Sequence, residues 1–309
     1  MNSFLKLLGG YILNNLVNHS SLNTGDLEYL TLRQETVGEH KIAYEVLGGS
    51  PEPKRTIILL HGAFATRNAT KVLANKLAAF RKSDRIILVD APWHGASETE
   101  LAIDGANINT YADVLADFVT ALKEEGMIQG KLAWFGWSMG GSIGMLLDLK
   151  GVQIDELILI NSSPVWETLG HVVQQVPALA DPLTARDVFK AVMMEDFKEG
   201  VTDAERNQIF DNYDAIIDEA TVMVNDLSAL ATEHYDIRER LSEIKAKTMI
   251  YSTEDDMLAL SEMQDVMANA IPNSVKHVQK TGGHSGLMKP SDAEIIASCF
   301  VEVFDPATN

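Results

Sequence analysis

Residues 131–145, KLAWFGWSMGGSIGM, run from a short apolar stretch through a glycine turn into the start of a helix. Within them Gly136-Trp137-Ser138-Met139-Gly140 fits G-x-S-x-G, a strand-to-helix elbow that lifts a serine hydroxyl above a sheet edge. Ser138 is the candidate nucleophile. A serine on so sharp a turn takes a strained backbone conformation, and the residues two before and two after it must lack bulk where strand and helix nearly touch. Gly136 and Gly140 meet that need. The N–H of Met139 opens the helix without an intrahelical partner, which makes it an expected oxyanion donor. Taken alone, the motif also fits an ordinary glycine turn between buried elements, so its surroundings decide.

Those surroundings have a rhythm. Apolar runs at 56–60, 85–89, 131–135, 156–160 and 247–251 are mostly continuous rather than alternating, as in strands buried on both faces. Helical stretches at 70–81, 111–125 and 141–149 lie between them, and strand–helix–strand in repetition implies a parallel βαβ sheet. Ahead of it, runs at 27–34 and 40–47 flank Val37-Gly38-Glu39 and read as an antiparallel pair. Between 161 and 247 no strand pattern is evident, and the segment is helical in character, with Trp166, Met193, Met194, Phe197, Phe210, Tyr213 and Met223. A structureless loop of that length would be unusual in a compact domain. The expected fold is therefore α/β, a mostly parallel twisted sheet with helices on both faces. A helical cap at 164–240 is inserted over the strand ends into a core formed by 27–163 and 241–309.

The first 26 residues stand apart. Phe4, Leu5, Leu8, Tyr11, Ile12, Leu16 and Val17 approximate one helical face. A secretory signal needs a firmer basic start than Lys6 and an apolar run not broken by Gly9, Gly10, Asn14 and Asn15. The run is too short for a transmembrane span. The expectation is an amphipathic helix packed on the body or over the site, with contact at a lipid interface as the rival reading.

Composition bounds the partners. Apolar residues at 46% and charged residues at 22% describe an ordinary globular chain. A net charge of −19 repels phosphate backbones and anionic lipid surfaces, so nucleic acid and polybasic membrane docking are not expected. Cys299 is the sole cysteine, which excludes an internal disulfide and a C-x-x-C pair and suits a reducing cytoplasm. Scattered histidines without H-E-x-x-H suggest no metal, and the absence of a P-loop or dinucleotide fingerprint suggests no nucleotide cofactor.

A second loop reaches the same sheet edge at Leu59-Leu60-His61-Gly62-Ala63-Phe64. A backbone N–H there, that of Ala63 with Phe64 as the next choice, completes a two-donor oxyanion hole with Met139. His61 reads as a brace for the loop rather than a base. The next strand ends in Asp90-Ala91-Pro92-Trp93-His94-Gly95-Ala96-Ser97. HGAF, DAPWHGAS and GWSMGG, in that order and each after a buried strand, resemble the α/β-hydrolase superfamily from about Ile42 to Phe304. Trp93 stands where the usual D-x-P-G-H-G-x-S has glycine, and His94 falls in the structural part of that motif.

The resemblance implies a nucleophile, acid, histidine order along the chain. Ser252-Thr253-Glu254-Asp255-Asp256-Met257 is similar to the family's G-x-x-D acid loop, and in that register Asp255 is the acid. Ser252 at the glycine position leaves Asp256 and Glu254 as alternatives. Lys280-Thr281-Gly282-Gly283-His284-Ser285-Gly286 looks like the family's histidine loop, which makes His284 the base and His277 a surface or packing residue. Phe64 and Trp137 are the expected walls of an apolar acyl pocket.

Motifs and resemblance together imply a serine hydrolase of the carboxylesterase kind. It would act on a small-molecule ester or thioester of small to medium acyl size, without cofactor or metal, in the cytoplasm. Lipase or lysophospholipase, carbon–carbon bond hydrolase, peptidase and perhydrolase activities use the same triad. A non-enzymatic ligand sensor on the same fold is the rival of another class.

Overall fold

Runs such as RTIILL and ELILI carry branched and aliphatic side chains at nearly every position, and the strands they form are buried on both faces. The structure, a computed structural model, describes residues 32–306 apart from 104–105 and most of 167–234; within that span 187, 190, 193, 194, 196–198, 201–211, 222, 225, 226, 229 and 230 are described. The expected N-terminal helix lies outside the described residues.

The strands are β1 (Arg33–Val37), β2 (His40–Leu47), β3 (Arg55–Leu60), β4 (Arg85–Val89), β5 (Glu98–Thr99), β6 (Lys131–Trp137), β7 (Glu156–Ile160), β8 (Lys247–Thr253) and β9 (Ser274–Gln279). They form one sheet in the order β1-β2-β4-β3-β6-β7-β8-β9, with β5 on β2. The first two strands and β4 pair antiparallel, and every pairing from β4 to β9 is parallel. The hairpin turns at Gly38 and Glu39 alone, with Val37 opposite His40, so β1 runs on to Val37 rather than stopping at Gln34. Gly38, at φ 56°, supplies the left-handed residue so tight a turn requires.

The helices are α1 (Lys71–Phe80), α2 (Ile108–Glu124), α3 (Met139–Leu149), α4 (Asp203–Asp211), α5 (Ser261–Ala270) and α6 (Pro290–Phe304). α2 begins three residues before the expected start because Asn107 and Thr110 close a capping box there. α6 packs on α1 and α2 on α3, and the two pairs flank the sheet. No described helix is long and apolar enough to cross a membrane.

At the foot of the sheet, Arg55 opens β3 and is buried against Asp84 (3.1 Å), Glu156 (Nη2 to Oε1, 2.9 Å) and Asp305 (3.0 Å). One cation thus ties β3 and β7 to the chain after α6. At the other end the chain leaves β7 at Ile160 and returns in β8 at Lys247. Val165 and Asp236 form an antiparallel bridge, and Ile237 N donates to Pro164 O at 3.0 Å. The excursion is therefore closed at its neck.

Candidate active site

Only Ser138 lies between β6 and α3. Its backbone sits at φ 54° and ψ −120°, in the left-handed half of conformational space that a residue with a Cβ rarely adopts. Three contacts hold it there: Ser138 N donates to Ile160 O (2.9 Å), and Ser138 O accepts from Gly141 N (3.0 Å) and Ser162 Oγ (2.8 Å). A Cβ on Gly136 would stand 2.2 Å from Gly140 O, and one on Gly140 would stand 2.5 Å from Leu60 O, so neither position accepts a side chain. Among the described residues, Ser138 Oγ makes no hydrogen bond and Met139 N–H meets no acceptor. The latter heads α3, where the helix dipole favours negative charge.

The loop after β3 is braced by His61. Nδ1 donates to Gly62 O at 2.7 Å, and Nε2 accepts from Ala91 N at 3.0 Å. That pattern requires a neutral ring. Complete burial, with the nearby His94 adding to it, pushes the His61 pKa down to about 3. The expected role as a loop brace agrees with this geometry. Among the described residues Ala63 N–H has no acceptor, whereas Phe64 N–H donates to Asp226 Oδ2 at 2.8 Å. Of the two sequence-derived choices in this loop, Ala63 is the one left available.

DAPWHGAS folds into a turn held both by its own residues and by Arg67 and Ala43 outside it. Asp90 accepts from Arg67 N (2.6 Å) and Ala96 N (2.9 Å), while Ser97 Oγ donates to Asp90 O (3.0 Å) and accepts from Ala43 N (2.9 Å). Trp93 takes φ 67°, which accounts for a glycine being usual at that position in the motif.

His284 Nδ1 lies 2.8 Å from Asp256 Oδ2 and 3.0 Å from Oδ1. The expected acid, Asp255, is not its partner: that carboxylate accepts from Gly282 N (3.1 Å) and Gly283 N (2.9 Å) and supports the histidine loop from outside. The register slips by one because the β8–β9 ladder continues through Ser252 opposite Val278 and Thr253 opposite Gln279. Ser252, matched to the family's loop glycine, is still strand, so the loop starts later. Asp256 Oδ1 also accepts from Leu258 N (2.8 Å) and Ala259 N (2.9 Å).

Burial pushes the Asp256 carboxyl up, but the charge of His284 and its hydrogen bond outweigh this and hold it below the usual carboxylate range. Burial likewise pushes His284 down; Asp256, through charge and hydrogen bond, and Asp196, through charge, outweigh this and hold it above the usual histidine value. His284 is boxed by two indoles, its ring centroid 5.7 Å from Trp137 and 6.3 Å from Trp166.

Trp137, expected as a pocket wall, is packed inside the fold. It is 1% exposed, and its Nε1 donates to His284 O at 2.8 Å, so it ties the strand before the serine to the histidine loop. Phe64, the other expected wall, is buried at the head of its loop with φ 67°.

Three residues of this neighbourhood escaped the sequence reading. Asn161, at φ 45° just past β7, donates from Nδ2 to Gly283 O (2.8 Å) and His284 O (3.2 Å). Its place immediately after a buried strand at the carboxyl edge was the available sign. Asp196 accepts from Ser285 N at 3.1 Å, and its Oδ1 stands 2.3 Å from where a Cβ on Gly283 would fall, so residue 283 has to be glycine. Asp226 is the third. Among the described residues no group of three or more His, Cys, Asp or Glu is arranged to hold a metal ion.

A parallel sheet with a strained serine elbow at its carboxyl edge and a buried His–Asp pair beside it defines a hydrolase-type α/β fold. Residues 57–297 match the sequence profile described as Alpha/beta hydrolase family, and the chain belongs to that family. A 3-hydroxybutyrate-oligomer hydrolase from Cupriavidus necator is 29% identical over 128 residues, a match spanning 41% of this chain and only 41% of that protein. Family and relative together support hydrolytic chemistry. Among solved structures, an esterase from Exiguobacterium antarcticum superposes with a TM-score of 0.71 at 22% identity, over 88% of this chain and 99% of the other. A bacterial membrane phospholipase A superposes with a TM-score of 0.70 at 18% identity, over 100% of both chains. At such identities the structural likeness carries the fold.

Proposed function

We propose that the chain is a serine hydrolase cleaving carboxylic esters, or thioesters, of small to medium apolar acyl groups. Ser138 attacks the carbonyl carbon while His284 takes its proton, and the N–H groups of Ala63 and Met139 receive the oxyanion. His284 then protonates the leaving group. Water, activated by the same ring, attacks the acyl-enzyme and releases the acid. Asp256 keeps the proton on Nδ1 and balances the charge that the ring carries between transfers.

The observation that carries this reading is the backbone of Ser138, held at φ 54° between a buried strand and a helix and next to the tethered His284 loop. Strain of this kind persists where it serves chemistry. The open Ser138 Oγ is compatible with it, since catalytic hydrogen bonds often tighten only around substrate. Segment 164–240 acts as the cap that selects the acyl group, and the contacts of Asp196 and Asp226 with the two catalytic loops support this.

A phospholipid or lysophospholipid ester is the second reading. It is favoured by the match to a membrane phospholipase A over 100% of both chains and by the apolar residues spaced along 4–17 in the sequence.

Steady-state hydrolysis of p-nitrophenyl esters from acetate to palmitate, with phospholipid and lysophospholipid assayed in parallel and Ser138→Ala as control, tests both. Turnover peaking at a short or medium chain and lost in the control supports the first reading, and preference for the lipids supports the second. Absence of multiple turnover from a folded protein sinks both.

A further inference from the structure

Asp226 is wholly buried and comes from the segment between β7 and β8, yet it sits in the loop after β3. Its Oδ2 accepts from Phe64 N (2.8 Å) and faces His94 Nε2 (2.9 Å), and its Oδ1 accepts from Tyr111 Oη (3.0 Å). Asn225, the preceding residue, donates from Nδ2 to Tyr111 Oη at 2.8 Å, which commits the tyrosine proton to Asp226. A carboxylate removed from water is costly unless it is paired and fully hydrogen-bonded. The pairing here is with His94, itself wholly buried. His94 Nδ1 faces Pro92 O at 2.8 Å, and a carbonyl only accepts, so Nδ1 carries a proton. Nε2 faces Asp226 Oδ2 at 2.9 Å, so the ring packs directly on the carboxylate that holds Phe64.

We infer that Asp226 is a positioning residue that fastens the cap segment to the oxyanion loop, so that seating of the cap and correct aim of Ala63 N–H are one event. The inference rests on the serine hydrolase reading above. Phe64 is in the left-handed region at φ 67°, a conformation that persists only where the surroundings hold it. Asp226 grips the amide of that residue. The Ala63–Phe64 peptide is thereby turned towards the cap segment, which leaves the preceding N–H, that of Ala63, free for an oxyanion. His94 packs on the oxygen that holds Phe64 and Tyr111 donates to the other, so the grip joins three core elements to one cap acid. His61, its ring centroid 5.0 Å from that of His94 and tilted 48° to it, ties the same loop to the turn carrying His94.

The test uses the full chain with Asp226→Ala and Asp226→Asn, read in two ways. The first readout is amide hydrogen exchange at Phe64, which needs no activity. Protection in the wild type that is lost in Asp226→Ala supports the fastening; an unprotected Phe64 in the wild type overturns it. The second is kinetics on p-nitrophenyl butyrate together with the rate of Ser138 labelling by a fluorophosphonate. Asp226→Ala is expected to lower kcat and labelling about 100-fold with KM little changed, the loss expected for one misaligned oxyanion donor. Asp226→Asn keeps an acceptor for Phe64 N–H and is expected to recover most of that loss. Unchanged kcat in Asp226→Ala, or a rise in KM alone, overturns the inference. If Asp226→Ala fails to fold, Asp226→Asn with Phe64 protected and kcat retained supports it, and Asp226→Asn with protection lost but kcat retained overturns it. Inactivity of the wild type on every ester would instead refute the serine hydrolase reading, and the exchange experiment would then decide the fastening by itself.

Discussion

His284 and Asp256 form a buried pair, Nδ1 to Oδ2 at 2.8 Å, while Asp255, one residue earlier, turns its carboxylate to the amides of Gly282 and Gly283. Two adjacent aspartates thus have different work. One faces the ring, and the other holds the backbone that carries it.

Asp256→Asn should therefore cost about 10⁴-fold in kcat, the scale seen when a triad acid loses its charge and the histidine tautomer is lost. Asp255→Asn should cost no more than about tenfold, the scale of one lost hydrogen bond. Steady-state kinetics of the two variants on one ester decides the assignment, and the opposite ranking would refute it.

Because Asp256 and Asp196 hold His284 above the usual histidine value of about 6.5, kcat/KM should rise with pH through a midpoint above that value. Asp196→Asn removes one of the two charges and should move the midpoint to lower pH. The stability linkage has the opposite sense. A raised histidine contributes fully below its unfolded pKa and loses that contribution as pH rises through the folded value; the depressed Asp256 contributes above the usual carboxyl range and loses it as pH falls. The pair should thus stabilise most in mildly acidic solution, where the enzyme is least active. Denaturant midpoints and kcat/KM measured across the same pH series check both halves.

Asn161→Ala removes the two hydrogen bonds that hold the carbonyls of Gly283 and His284. We expect kcat to fall about tenfold with KM nearly constant, since His284 loses orientation while binding groups stay in place. A change confined to KM would contradict a role in aiming the ring.

Arg55→Ala removes the central cation of this cluster and leaves buried Asp84 with Arg81 alone and buried Glu156 with Lys131 alone. Breaking such a cluster by removing one partner costs roughly 3–5 kcal/mol, so chemical denaturation should show a large loss of stability. At a temperature where the variant is folded, kcat should be normal, because Arg55 lies at the far end of β3 from Ser138.

The parts of this molecule legible in the sequence are those where one short stretch specifies its own geometry. The elbow at Ser138 needed two glycines within five residues, and the buried strands announced themselves by unbroken apolar runs. The Asp255 reading failed by one residue because pairing with β9, a long-range event, extends β8 through Thr253. Trp137 neighbours the serine in sequence, but the acceptor of its indole N–H is a carbonyl 147 positions away, a contact that no local pattern marks. Asp196 and Asp226 could not be found at all. Nothing in a helical, acidic segment marks which of its carboxylates will meet a glycine at 283 or an amide at 64.

The bridge between Val165 and Asp236 bears on how such a chain can change. With exit and return side by side, everything between them can be exchanged as a cassette without disturbing the β7–β8 ladder. Such a transplant would nonetheless remove the acceptors that Asp226 offers Phe64 N–H and that Asp196 offers Ser285 N–H, and only donors with acids at both places would graft without redesign of the two loops they hold.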